Sequence, residues 1–141
     1  MIVRACPSCG KKNRLSPAHL TDHGKCGSCA AKLDVVAEPL SVDAADFDAI
    51  VAQARVPVLI DFWADWCGPC HMAAPEVAKT AKAMAGKAIV LKVDTEANPE
   101  LAARHQIRGI PNFVVYSGGK PVMQQAGAVD SRQMIEWLGK A

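Results

Sequence analysis

Apolar positions are sparse and unpatterned over residues 1–33, then fall into regular periods from residue 42 onward. In DAADFDAIVAQA (43–54), Phe47, Ile50 and Val51 share one face of a predicted helix. PVLIDFWA (57–64) is a short, nearly continuous apolar run, as expected of a strand buried on both sides. PCHMAAPEVAKTAKAMAG (69–86) predicts a helix ending near Gly86, with a kink expected at Pro75. AIVLKVD (88–94) predicts a second buried strand. NPELAARH (98–105) predicts a short helix, with Asn98 as cap and Pro99 at its first position. NFVVYSGGKPVMQQAG (112–127) predicts two strands around the turn SGGK, and SRQMIEWLGKA (131–141) a closing amphipathic helix. Helices alternating with strands, then a hairpin and a helix, predict an α/β sandwich around a mixed sheet.

Residues 1–33 contain no Phe, Tyr or Trp and few large aliphatics, so they cannot bury enough apolar surface to fold unaided. The expected organisation is a small module at 1–33, a linker or short strand at 34–41 broken by Pro39, and a main domain at 42–141. The charge is split in the same way. The first 33 residues carry six Lys or Arg against Asp22 alone, whereas the remainder carries ten basic and thirteen acidic residues. The net charge of +2 does not by itself call for a polyanion. No apolar run approaches the roughly 20 residues of a membrane span, and MIVRACPSCG has no apolar core of a secretory signal. A membrane partner is not expected, and the six cysteines then suit a reducing, cytoplasmic setting, where paired cysteines bind metal or do redox work.

Four of those cysteines supply what the first module lacks. Cys6 and Cys9, then Cys26 and Cys29, form two C-x-x-C pairs separated by sixteen residues, a zinc-ligand spacing. Four thiolates would close a tetrahedral structural site with no open position for catalysis. The competing readings are two disulfides or four idle thiols. His19 and His23 lie between the pairs as rival ligands, read here as surface residues. The basic charge admits nucleic acid, but the module lacks the aromatic platforms that stack bases, and none is expected to bind. A solvated basic face is the plainer reading, and a docking surface for acidic proteins a third.

Cys67 and Cys70 stand apart, between a predicted buried strand and a predicted helix. A thiol at a helix N-terminus faces unpaired N–H groups and the positive end of the dipole, and both favour thiolate. Cys67 is therefore the expected attacking thiol. Cys70, inside the first turn and expected to be the more buried, is the resolving one. Gly68 permits the tight turn and Pro69 fixes φ in the first helical turn. A further metal knuckle is the competing reading, but no second pair remains to complete it.

FWADWCGPC resembles the active site of the thioredoxin family. RVPVLIDFWADWCGPC, KVDTEANPELAARHQIRGIPNFVVY and QQAGAVD resemble it in order and spacing. The four-cysteine module resembles that of the zinc-containing bacterial branch, thioredoxin 2. The resemblance implies a three-layer α/β/α sandwich with a central mixed sheet, preceded by a small zinc-ribbon-like module. It implies a protein-disulfide reductase working through a mixed disulfide on Cys67, with disulfide-containing proteins as substrates. Recycling would come from thioredoxin reductase and NADPH, with one structural zinc, no bound organic cofactor and a monomeric state.

The same resemblance assigns Asp61, otherwise readable as a strand-end acid, to a buried position behind Cys70, where it would help that thiol lose its proton. Lys92 would be its partner, and Pro111 a cis-proline facing the site. Trp66, Gly68, Pro69, Ile110, Pro111 and Gly127 would form a flat substrate face, with Trp63 packed beneath. His71 stands where the family usually has Lys or Arg, and Asn112 where it usually has Thr. The rival readings are a zinc-gated redox sensor or binding module and, less well supported, a structural adaptor of the same fold.

Overall fold

The computed structural model describes residues 2–141. Two small antiparallel ribbons come first. Strand β1 (Ile2–Ala5) pairs with β2 (Lys12–Leu15), and β3 (Gly24–Lys25) with β4 (Lys32–Leu33). A short 3-10 turn, Pro17–His19, joins them. A five-stranded mixed sheet follows, in the order β5 (Leu40–Ser41), β7 (Ile89–Asp94), β6 (Val58–Trp63), β8 (Asn112–Ser117), β9 (Lys120–Ala126). Helices α1 (Ala44–Gln53), α2 (Gly68–Ala83), α3 (Pro99–Arg104) and α4 (Ser131–Lys140) complete it.

The two faces of the sheet carry separate cores, because successive strand side chains point to opposite sides. Ile60, Phe62, Leu91, Val93, Val114 and Tyr116 pack with Phe47, Ile50 and Val51 of α1 and Leu101 of α3. Leu59, Val90, Phe113 and Val115 pack with Ala73, Val77 and Ala81 of α2 and Met134 and Leu138 of α4. Both faces are covered, so β6 and β8 read as continuous apolar runs and not as alternating ones. The expected α/β/α sandwich is what the chain forms.

Some local expectations shift. Helix α2 ends at Ala83, three residues short of the expected Gly86, and has Pro75 inside it as expected. Asn98 takes the N-cap position of α3 but makes no side-chain cap bond, its amide donating instead to the Asp94 carbonyl at 3.1 Å. The β8–β9 turn is Gly118–Gly119, φ 61° and 82°, a pair of positive values that glycine adopts at little cost.

The ribbons are not held by cysteines alone. Leu20, 2 % exposed, and Ile2 join the same apolar cluster as Phe47 and Ile50. Arg55, just before β6, donates to the Ala18 carbonyl at 3.0 Å and pairs with Asp22. Val35 lies beside Gly86, which follows α2. These contacts fall at the starting end of β6, and the dithiol lies beyond its finishing end.

Candidate active site and metal centre

Cys67 is the N-cap of α2 and forms a disulfide with Cys70 (Cα–Cα 5.2 Å). Its Sγ accepts the Cys70 backbone N–H at 3.1 Å, one of the free donors of the helix start. The Ile110 carbonyl oxygen lies 3.6 Å from the same sulfur, and Ile110–Pro111 is cis. Cys70 starts the buried stripe of α2 that continues through Ala73, Val77 and Ala81. The expected difference in burial does not hold: Cys67 is 3 % and Cys70 4 % exposed. The sulfurs are bonded to each other and Ile110 approaches from across the site, so the outer cysteine is covered as well.

Parity along the strands places the acid. Leu59 faces α2, so Asp61, two residues on, lies on that face too. Lys92 sits opposite it in the parallel β6–β7 register. Asp61 is 2 % exposed, and its Oδ1 has no hydrogen-bond partner among the described residues. Burial pushes its carboxyl up to about 6, and the Lys92 charge only partly offsets this. The Lys92 ammonium lies 4.5 Å from the centre of the Trp63 ring, a cation–π contact on the same face of the sheet.

The face around the sulfurs is partly apolar. Trp66 is 69 % exposed; Gly68, Pro69 and Gly127 are also exposed, Ile110 is half-buried and Pro111 buried. The Gly127 N–H donates to the Pro111 carbonyl at 2.8 Å, joining two parts of this face. His71 is exposed, with Nε2 2.6 Å from the Asp65 carbonyl oxygen, so its ring closes the turn around the cysteines. Two neighbours escape sequence reading. Glu96 accepts the Trp66 indole N–H at 2.7 Å, and Met72, two residues after Cys70, is an apolar side chain at 78 % exposure. Met72 could have been found as the residue of α2 pointing away from the Cys70 stripe. Nothing local marks Glu96.

This geometry agrees with the comparisons. The family model described as Thioredoxin matches residues 38–140, nearly all of the chain beyond the ribbons. The chain belongs to the thioredoxin family. It is therefore a thiol–disulfide oxidoreductase, with Cys67 and Cys70 as the disulfide. A second model, described as Thioredoxin 2, N-terminal, matches residues 5–31. Thioredoxin C-3 of Corynebacterium nephridii is 38% identical over 137 residues, covering 97% of this chain and 93% of that one. Thioredoxin 1 of Chlorobaculum tepidum is 44% identical over 94 residues, 67% of this chain and 93% of that one. Among solved structures, a mutant thioredoxin from Halobacterium salinarum NRC-1 superposes with a TM-score of 0.68 at 34% identity, covering 73% of this chain and 89% of that one. Plasmodium falciparum thioredoxin gives 0.65 at 36%, covering 70% and 97%.

Ahead of the thioredoxin domain, the ribbons bring Cys6, Cys9, Cys26 and Cys29 together, with all four sulfurs within 4.8 Å of one another. Cys6 and Cys29 Sγ are 3.7 Å apart, Cys9 and Cys26 3.6 Å. A tetrahedron of sulfurs about 2.3 Å from a zinc ion has edges of about 3.8 Å, so the donor set fits that ion. The two halves are built alike. Cys6 and Cys26 each accept the N–H of the residue two on, Ser8 and Ser28, at 3.4 Å. The backbone N–H groups of Cys29, the largest cause, and of Ser28 pull the Cys26 thiol down to about 6. Gly10 and Ala30 hold corresponding positions, at φ 78° and 61°. His19 pairs with Asp22 and His23 lies 3.8 Å from Asp34, so neither belongs to the thiol cluster.

Proposed function

We propose that the protein reduces disulfides in other proteins, with Cys67 as nucleophile and Cys70 as resolving thiol. The observation that carries this is Cys67 Sγ at the N-cap of α2, accepting the Cys70 N–H opposite the Ile110 carbonyl. In the reduced protein, Cys67 thiolate attacks one sulfur of a substrate disulfide. The second substrate sulfur leaves as thiolate and takes a proton, leaving a mixed disulfide on Cys67. Cys70 passes its proton to Asp61 and attacks Cys67 Sγ. The Cys67–Cys70 bond forms, the remaining substrate thiolate departs, and two electrons have moved to the substrate. A carboxyl poised near 6 suits that proton transfer around neutral pH.

The Ile110 backbone and the exposed Trp66, Gly68, Pro69 and Gly127 suit docking of an extended substrate strand. Return to the dithiol would come from thioredoxin reductase and NADPH, in the cytoplasm, with the protein acting as a monomer. No helix among the described residues is long and apolar enough to cross a membrane. An insulin-reduction assay coupled to thioredoxin reductase tests this reading, and no turnover would sink it.

Asp61→Asn yields two expected results. Release of reduced substrate at pH 7 slows by roughly ten- to hundredfold, and the defect shrinks as rising pH ionises Cys70 unaided. Stability moves the other way. An acid whose folded pKa is raised binds more protons folded than unfolded between about pH 4 and 6, so stability falls over that window. Above it the wild type carries a penalty of up to about 3 kcal/mol that the neutral amide lacks. Urea denaturation at pH 8 and pH 4 checks this: the variant gains at pH 8 and loses the gain at pH 4. Equal gains at both would detach the effect from Asp61 ionisation.

For the ribbons we propose one zinc held by Cys6, Cys9, Cys26 and Cys29, in a closed structural role. A four-thiolate zinc site carries two net negative charges, which offers the basic residues of residues 1–33 a purpose other than polyanion binding. Gly10→Val places a β-branched residue at φ 78° with no atom within 4 Å of the added Cβ, so the backbone conformation carries the expected cost. It should weaken zinc retention by about 1–2 kcal/mol, roughly tenfold, against a chromophoric chelator. Ala30→Gly, at the matching position, should retain zinc at least as well as wild type.

A further inference from the structure

The loop that presents Ile110 to the sulfurs runs from His105, at the end of α3, to Asn112, the first residue of β8. Both of its ends are fixed by polar groups that the chemistry does not use. His105 is 7 % exposed, its Nδ1 2.9 Å from the Leu101 carbonyl oxygen and its Nε2 2.6 Å from the Tyr116 hydroxyl. With Nδ1–H donated to Leu101, Nε2 accepts the Tyr116 O–H, which ties the loop's first end to β8. Asn112, at the other end, is 6 % exposed.

One side chain joins the two ends. Gln124 of β9 stands opposite Val114 of β8, on the sheet face that also holds Asn112. Its Nε2 lies 2.9 Å from the His105 carbonyl oxygen and 3.2 Å from Asn112 Oδ1. A carbonyl oxygen can only accept, so the amide nitrogen must face it, and Asn112 Oδ1 then accepts the second N–H. The amide of Gln124 is a clip across the mouth of the loop. The loop between carries Gln106 at φ 56°, a conformation non-glycine residues seldom adopt without support.

We propose that Gln124, acting with Asn112, is a positioning residue for substrate docking, which holds the His105–Asn112 loop closed so that the Ile110 backbone meets an extended substrate strand beside Cys67. This rests on the disulfide-reductase reading above. It also gives Asn112 a role at the position where the family's usual residue is Thr: a buried carbonyl-type acceptor aimed at the clip.

The test compares insulin with a small aromatic disulfide, Ellman's reagent, which needs no strand docking. Gln124→Ala removes the clip. Gln124→Glu keeps its shape but sets a carboxylate, which cannot donate, against two acceptors. Both should raise KM for insulin by about five- to tenfold with kcat within about twofold, as expected for two lost hydrogen bonds that serve binding and not chemistry. Turnover of Ellman's reagent should stay within about twofold. Asn112→Leu should raise KM similarly, and the Gln124→Ala/Asn112→Leu double variant no further, because the pair acts as one unit. An unchanged insulin KM in both Gln124 variants overturns the proposal. So does an equal loss on both substrates with a lowered melting temperature, which would make the clip merely structural. A wild-type protein that reduces Ellman's reagent but not insulin would overturn the underlying reductase reading, a result that involves no Gln124 variant.

Discussion

Cys67→Ser is expected to lower insulin reduction by on the order of a thousandfold or more, because a serine hydroxyl at that position is not ionised and cannot replace the thiolate. Cys70→Ser should behave differently. The first attack still proceeds, the second cannot, and a one-to-one covalent complex accumulates that non-reducing electrophoresis and intact mass both detect. The pair of variants matters because burial does not distinguish the two sulfurs, at 3 % and 4 % exposure. What distinguishes them is direction. Cys67 receives the N–H at the helix start, while Cys70 faces inward on the stripe shared with Ala73 and Val77. If Cys67→Ser accumulates the complex and Cys70→Ser does not, the order of attack is reversed.

Removal of the zinc proposed for the ribbons should carry the second large effect. Structural zinc contributes about 10–16 kcal/mol of apparent binding energy in finger-sized peptides, and residues 1–33 have little else to fold them. Leu20 couples that loss to the thioredoxin domain, since it is 2 % exposed in the core shared with Phe47 and Ile50. Withdrawing one leucine from such a core costs about 3–5 kcal/mol. A zinc-selective chelator under reducing conditions should therefore lower the urea midpoint of the whole protein, and Leu20→Ala should do so with the metal retained. A midpoint indifferent to chelation, beside a large Leu20→Ala effect, would show that the 16–22 segment stays docked without the metal. The initial rate of disulfide reduction should change little in either case, because the docking contacts lie at the other end of β6.

Much of this was legible in the sequence because local patterns carried it. Val58 to Trp63 and Asn112 to Ser117 are covered on both faces, so their apolar runs could hardly be anything else. The spacing of Cys6, Cys9, Cys26 and Cys29 foretold a cluster. Asp61 was legible only through family resemblance, since one acid in a strand says nothing until register puts Lys92 beside it and parity turns it toward α2. Other features depend on contacts that no local pattern encodes. Leu20 stands alone in PAHLTDHG, without a period to mark it as core. The covering of Cys67 needs a loop 43 residues further on. Gln124, on an exposed edge strand, reads as an ordinary polar residue until His105 and Asn112 are seen on either side of its amide.

The ribbons and the dithiol lie at opposite ends of β6, whose six residues span about 20 Å. An object held by the ribbons would thus sit at least the length of β6 away from the reactive sulfurs and not over them. The gain from such a tether would be one of local concentration, set by the reach of the attached chain and independent of sulfur chemistry. For anyone immobilising this protein, the consequence is practical: a surface linked through the ribbon end leaves the Trp66 face turned toward the solution.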